Sequence, residues 1–219
     1  MQSRLRLSRS RPRDLDRAVL ADRIVHAVGI AAAVAGGILL LARAARSPVA
    51  GQLLPVVIYV GGLLAMLVSS GAYHVWGSSR HREWLRRIDH AAIFVMIAGT
   101  YTPLAVLALA RPWDIVLTAA AWTAAAGGVI LKLVQPHRIE SISVGLYLLL
   151  GWMGVIVIGQ LLSSVETMAL LMLLIGGLVY SGGLAFHLSS RRYHVALWHG
   201  CVLLGAAFHY VAIASLVQA

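Results

Sequence analysis

The chain has 219 residues, 60% of them hydrophobic and only 12% charged, with mean hydropathy +0.84. A soluble domain carries roughly twice that share of charge, so a water-soluble globular protein is excluded. The net charge of +10 could suggest nucleic acid, but the arginines stand beside long apolar runs, where they report topology instead. The single cysteine, Cys201, excludes a disulfide framework within one chain.

Residues 1–23 form a basic tail with seven arginines, at positions 4, 6, 9, 11, 13, 17 and 23. The composition predicts a polar segment that orders only at the membrane, ending in a short interfacial helix. The basic N-terminus is followed by a full-length span without a clear small-x-small cleavage site, so no cleavable signal peptide is expected. Seven apolar segments follow in residues 24–219, near 24–42, 53–76, 88–110, 113–134, 141–162, 166–188 and 195–217. Each is close to the roughly 20 residues that cross a bilayer as a helix. The fold class is therefore an all-α membrane protein, a bundle of seven transmembrane helices. Pro48, Pro112 and Pro136 fall in the connections, where a helix must stop. Gly-Gly pairs at 36–37, 61–62, 127–128, 176–177 and 182–183 lie within spans, where small residues let helices approach closely.

Basic residues set the orientation. With the N-terminus inside, the inner segments hold the seven tail arginines, Arg80, Arg82, Arg86, Arg87, Lys132, Arg138, Arg191 and Arg192, fifteen in all. The outer segments hold only Arg43, Arg46 and Arg111. A bias of fifteen against three predicts a cytoplasmic N-terminus and an external C-terminus.

With that topology the polar residues collect at one end. His26 opens span one. Ser70 and His74 close span two, four residues apart and so on one helix face. Asp89 and His90 open span three, His187 closes span six, and His194 and His199 flank the start of span seven. His81 and His137 lie in loops, while His209 is about 15 Å deeper than His199 along its helix. Ionisable residues inside a membrane segment are costly and point to a functional site. Imidazoles converging from rigid helix ends suit a metal, and three histidines with one open position form a catalytic zinc arrangement. The competing reading is a set of interfacial histidines that cap helix ends or bond their neighbours. For His74, Asp89 and His199 together, at one depth, the metal site is the stronger reading.

At these residues the chain resembles the hemolysin III-like membrane proteins, relatives of the progestin and adipoQ (adiponectin) receptors within a group that includes alkaline ceramidases. The resemblance covers nearly all of residues 20–219. It rests on Ser70-x-x-x-His74, Ile88-Asp89-His90, the run Ile97-Ala98-Gly99-Thr100-Tyr101-Thr102-Pro103, and Trp198-His199 followed by His209. It implies seven helices with the N-terminus inside and a zinc ion near the cytoplasmic face. His74 would be one ligand, and two histidines of an H-x-x-x-H pair opening the last helix would be the others. Asp89 would hold a zinc-bound water, with Ser70 beside it. The sequence departs from this pattern once: Val195 stands four residues before His199, and the nearest histidine, His194, stands five before. On a regular helix that spacing turns the two side chains about 140° apart. A π-turn, or His194 folding back ahead of the helix, would restore the site; otherwise His187 or His90 would substitute, or the set is incomplete.

The mechanistic expectation is zinc-assisted hydrolysis. The metal would activate water and polarise a carbonyl, Asp89 would orient the water or take its proton, and Ser70 would donate to an oxyanion or support the site. A site in the inner leaflet points to membrane lipids as partners and to a lipid amide or ester as substrate, the amide favoured by the ceramidase resemblance. Two other readings stand beside it: a pore-forming cytolytic protein, and a non-catalytic receptor or homeostasis factor with structural zinc. The spans are too apolar to line a wide aqueous pore. The expected location is the inner (plasma) membrane of a bacterium, with no nucleic-acid partner.

Overall fold

The computed structural model describes residues 12–76, 80–134 and 140–218. The tail arginines at 4, 6, 9 and 11, together with Pro136, His137 and Arg138, lie outside the described residues. Among the described residues all regular structure is helical: α1 (Pro12–Arg46), α2 (Leu53–Trp76), α3 (Arg82–Ala108), α4 (Trp113–Val134), α5 (Glu140–Gly151), α6 (Ile158–Ser164), α7 (Thr167–His187) and α8 (His194–Leu216). A short 3₁₀ turn, Met153–Val157, joins α5 to α6. Seven stretches are long and apolar enough to cross a membrane, with α5, the 3₁₀ turn and α6 together forming the fifth.

Helix starts differ most from the sequence reading. α1 begins at Pro12 and runs unbroken to Arg46, although its apolar run was expected only from residue 24. Hydropathy says how deep a residue sits in the bilayer and not whether it is helical. Leu, Ala and Arg are strong helix formers, and proline is tolerated in a first turn. α3 likewise begins at Arg82, ahead of the apolar boundary expected at 88. Here Glu83 accepts from both Arg86 and Arg87, at 3.1 Å each, which supports a polar first turn.

α3 packs against α2, α4, α5 and α8, and α8 closes back on α1 and α7. Close approach depends on glycine. A Cβ on Gly62 would stand 3.3 Å from the Val95 carbonyl oxygen, and one on Gly99 would stand 3.3 Å from that of Ile58. Three of the Gly-Gly pairs divide the labour: Gly62, Gly128 and Gly183 face a neighbouring helix, while Gly61, Gly127 and Gly182 have nothing within 4 Å.

The fifth span is interrupted. Where backbone leaves the α-helical pattern at membrane depth, its freed polar groups must be bonded inside the protein. The Tyr101 hydroxyl does this from α3. It donates to the Gly151 carbonyl at 2.7 Å and accepts from the Gly154 N–H at 2.8 Å. Trp152 adds a bond from its indole N–H to the Ser181 hydroxyl, 3.0 Å. The break therefore leans on α3 and α7, and Gly151 and Trp152 become part of a cavity wall.

Candidate metal centre

Helices alternate in direction, so the N-terminal halves of α1, α3 and α8 share an end of the bundle with the C-terminal half of α2. Four helices deliver polar side chains there: Asp22 and His26 from α1, Ser70 and His74 from α2, Asp89 from α3 and His199 from α8. Asp22, His26, Ser70 and Asp89 are all buried. The imidazole centroids lie 4.4 Å apart for His26 and His199, 4.6 Å for His74 and His199, and 5.3 Å for His26 and His74.

Asp22 organises the three rings. His199 Nδ1 donates to one carboxylate oxygen at 2.6 Å, and His74 Nδ1 lies 3.2 Å from the other. His26, one turn further along α1, donates its Nδ1–H to the Asp22 backbone carbonyl at 2.9 Å. With each Nδ1 carrying the proton, each Nε2 carries a lone pair. The Ser70 hydroxyl lies 3.2 Å from His26 Nε2 and 3.5 Å from His199 Nε2. One hydroxyl has a single proton to give. The cluster thus presents more imidazole lone pairs than donors to satisfy them, beside two carboxylates, Asp22 and Asp89. That imbalance fits a bound cation. A carboxylate on the far nitrogen of a metal-binding histidine is also the usual means of fixing its tautomer and orientation.

Asp89 lies beside Ser70 and His74, close enough to interact with both. It lines a cavity of about 400 Å³ that runs from the cluster between α2, α3, α5, α7 and α8. Most of its wall is apolar, including Met66, Ile93, Ile97, Leu184 and Val202.

The expected site residues His74, His199, Ser70 and Asp89 therefore come together. His194 does not join them. α8 is regular α-helix from its first residue, with no π-turn, and His194 is that residue. Its Nδ1 donates to the Arg191 carbonyl at 2.6 Å, and it makes no ring contact with the other three histidines. His187 packs against Trp198, with centroids 5.0 Å apart. His90 lines the cavity. The third imidazole is instead His26. Neither it nor Asp22 was assigned to the site from sequence, although Asp22-Arg-Ile-Val-His26 has the same four-residue spacing as Ser70 and His74. Asp22 was hidden because it falls in the stretch read as a polar tail.

Among the described residues, Asp22, His26 and His199 offer ligand atoms that all lie within 4.8 Å of one another, so this His/Asp cluster could hold a metal ion. Roles within it can be divided in two ways, with Asp22 as a direct ligand or as the group that orients the imidazoles. Its carboxylate is already occupied by the Nδ1 atoms of His74 and His199, which favours the second.

Comparison with known proteins follows the same lines. Residues 21–210 match the family model described as "Haemolysin-III related". The chain is 30% identical over 195 residues to a Hemolysin-3 homolog of Bacillus subtilis (strain 168), covering 89% of this chain and 92% of that protein. It is 29% identical to Hemolysin-3 of Bacillus cereus, covering 89% of each. It is 31% identical over 169 residues to the human monocyte to macrophage differentiation factor, covering 71% of this chain and 67% of that protein. No solved structure matches the chain.

Proposed function

The chain belongs to the haemolysin III-related family of membrane proteins, and from that membership and the geometry above we propose that it is a zinc-dependent hydrolase acting on a lipid amide or ester. The observation that carries this reading is the arrangement of His26, His74 and His199. All three Nδ1 atoms are turned to Asp22, beside a largely apolar cavity. Zinc bound by these three imidazoles would supply Lewis-acid chemistry, activating water and polarising a carbonyl.

The chain's own residues would do the rest. The apolar wall receives an acyl chain and excludes water from it. Asp89, buried and facing the cavity, takes a proton at its carboxylate. The Ser70 hydroxyl donates to negative charge developing on the carbonyl oxygen of the substrate. Asp22 keeps the imidazoles in the tautomer that leaves Nε2 free. A structural zinc site would normally be closed by four protein ligands, whereas a catalytic one keeps a position open; Asp22 engaged elsewhere supports the open form. We place the N-terminus in the cytoplasm and the protein in a bacterial plasma membrane, on the distribution of arginines and the bacterial relatives.

The test is purification of the parent and of Asp89→Asn, elemental analysis of both, and assay on a panel of acylated amine and ester lipids. Zinc near one per chain in both proteins, with turnover falling about 10²–10⁴-fold in the variant, is the expected result. Full activity in Asp89→Asn rejects its role. The name Hemolysin-3 carried by relatives favours a second reading, cytolysis. Release of dye from vesicles by the parent, with no turnover of any lipid, would select it.

A further inference from the structure

The cavity has a second polar region, on α7 and α8, far from the histidine cluster. His209 is ten residues after His199 along α8, about 15 Å at 1.5 Å per residue. Its Nε2 donates to the Leu173 carbonyl of α7 at 3.2 Å. That bond fixes the tautomer and leaves a lone pair on Nδ1. Nδ1 makes no hydrogen bond among the described residues. Tyr180 stands across from it on α7, ring centroids 5.4 Å apart, and its hydroxyl also makes no hydrogen bond among the described residues. Both residues line the cavity.

The backbone is shaped to admit them. A Cβ on Gly176 would run into the His209 imidazole, and one on Gly205 would stand 2.8 Å from the Tyr180 ring. Two glycines thus clear space for two polar side chains at membrane depth, where an unmet hydrogen bond is expensive. Interhelical bonding between α7 and α8 explains His209 Nε2. It leaves Nδ1 and the Tyr180 hydroxyl unexplained.

An imidazole acceptor and a phenol on neighbouring rings, both residues lining the cavity, match a hydroxyl group. A hydroxyl can donate to Nδ1 and at the same time accept from the phenol. A plain hydrocarbon chain would bury both groups unpaired, at a cost. We infer that His209 and Tyr180 form a recognition point for a hydroxyl carried along the chain of the bound lipid, about 15 Å from the group held at the histidine cluster. The inference rests on the reading of the cavity as a lipid site.

The experiment measures binding of stearate and of mid-chain hydroxystearate to the purified full-length protein, by displacement of a fluorescent fatty acid. The hydroxylated chain should bind roughly three- to tenfold tighter, the worth of one net hydrogen bond. A hydroxyl placed beside the carboxylate should confer no such preference. Tyr180→Phe, which removes one oxygen and keeps the ring, should abolish the preference, with stearate bound no more weakly than by the parent because an unpaired polar group is gone; His209→Leu should do the same. Equal binding of the two lipids by the parent overturns this inference and leaves the lipid reading intact. Binding of neither overturns both. A preference that survives in Tyr180→Phe and His209→Leu overturns the assignment to these residues.

Discussion

Asp22 is the residue whose role can be decided most sharply. Its carboxylate takes the Nδ1–H of His199 at 2.6 Å and stands 3.2 Å from His74 Nδ1. In Asp22→Asn the side chain keeps its shape but has one acceptor oxygen and one amide nitrogen. The oxygen can serve one imidazole. The nitrogen then faces the other Nδ1 donor to donor, and that ring must either turn its Nε2 away from the cluster or exchange its tautomer and place the proton on Nε2; either way a metal-binding lone pair is lost. Loss of such an orienting carboxylate typically weakens a metal site about 10–100-fold, equivalent to about 1.4–2.8 kcal/mol. The assay is competition for zinc against a chromophoric chelator, in detergent, with folding checked by helical content. If Asp22 orients, the variant holds zinc within that range of weakening. An unchanged affinity would falsify the orienting role. A collapse of affinity by many orders of magnitude would make Asp22 a direct ligand, in line with its place in the tight group with His26 and His199.

Two further outcomes follow from the fold. A reporter placed after the last helix should read as external and one in the turn between α2 and α3 as cytoplasmic, given fifteen inner against three outer basic residues; matching signals from both positions would refute an odd number of spans. Tyr101→Phe should leave the Gly151 carbonyl and the Gly154 N–H without their shared partner and cost about 1–3 kcal/mol, read as a lower midpoint of thermal unfolding in detergent. An unchanged midpoint would show that the break in span five does not depend on that hydroxyl.

The seven spans were legible because length and hydropathy are local properties, and the bilayer imposes them on each helix separately. Ser70, His74 and Asp89 were legible because only five residues separate α2 from α3, too few to carry Asp89 to the opposite end. The break in the fifth span was not. It sits among residues as apolar as their neighbours, and what makes it tolerable is a hydroxyl on Tyr101, fifty residues earlier in the chain. Asp22 and His26 were missed for a different reason. Their partners His199 and Ser70 are 177 and 44 residues away; packing of α1 on α2 brings His26 to Ser70, and closure of α8 against α1 brings His199 to Asp22. A polar, arginine-rich setting made Asp22 look solvated, whereas it is buried under three imidazoles.

On the proposed zinc reading, the position of His26 also answers the irregular spacing at the head of the last helix. Family resemblance calls for a histidine four residues before His199, and Val195 occupies that place on the helix face above it. Val195 lines the same cavity, one turn from His199 on the helix, and carries no imidazole there. His26 brings the missing ring from α1, its Nε2 3.2 Å from the same Ser70 hydroxyl that His199 approaches. The substitution is then reversible in principle. His26→Ala should lose most of its zinc, because two imidazoles alone make a weak site. Adding Val195→His to that variant should restore near-stoichiometric metal, through an H-x-x-x-H pair on α8 together with His74. His194→Ala should change neither protein, since its Nδ1 is bonded to the Arg191 carbonyl. Elemental analysis of the purified variants reads all three. Zinc retained in His26→Ala would remove this histidine from the ligand set. Loss in His26→Ala with no recovery on adding Val195→His would mean that α1 supplies more than a third nitrogen, the placement of Asp22 first among the explanations.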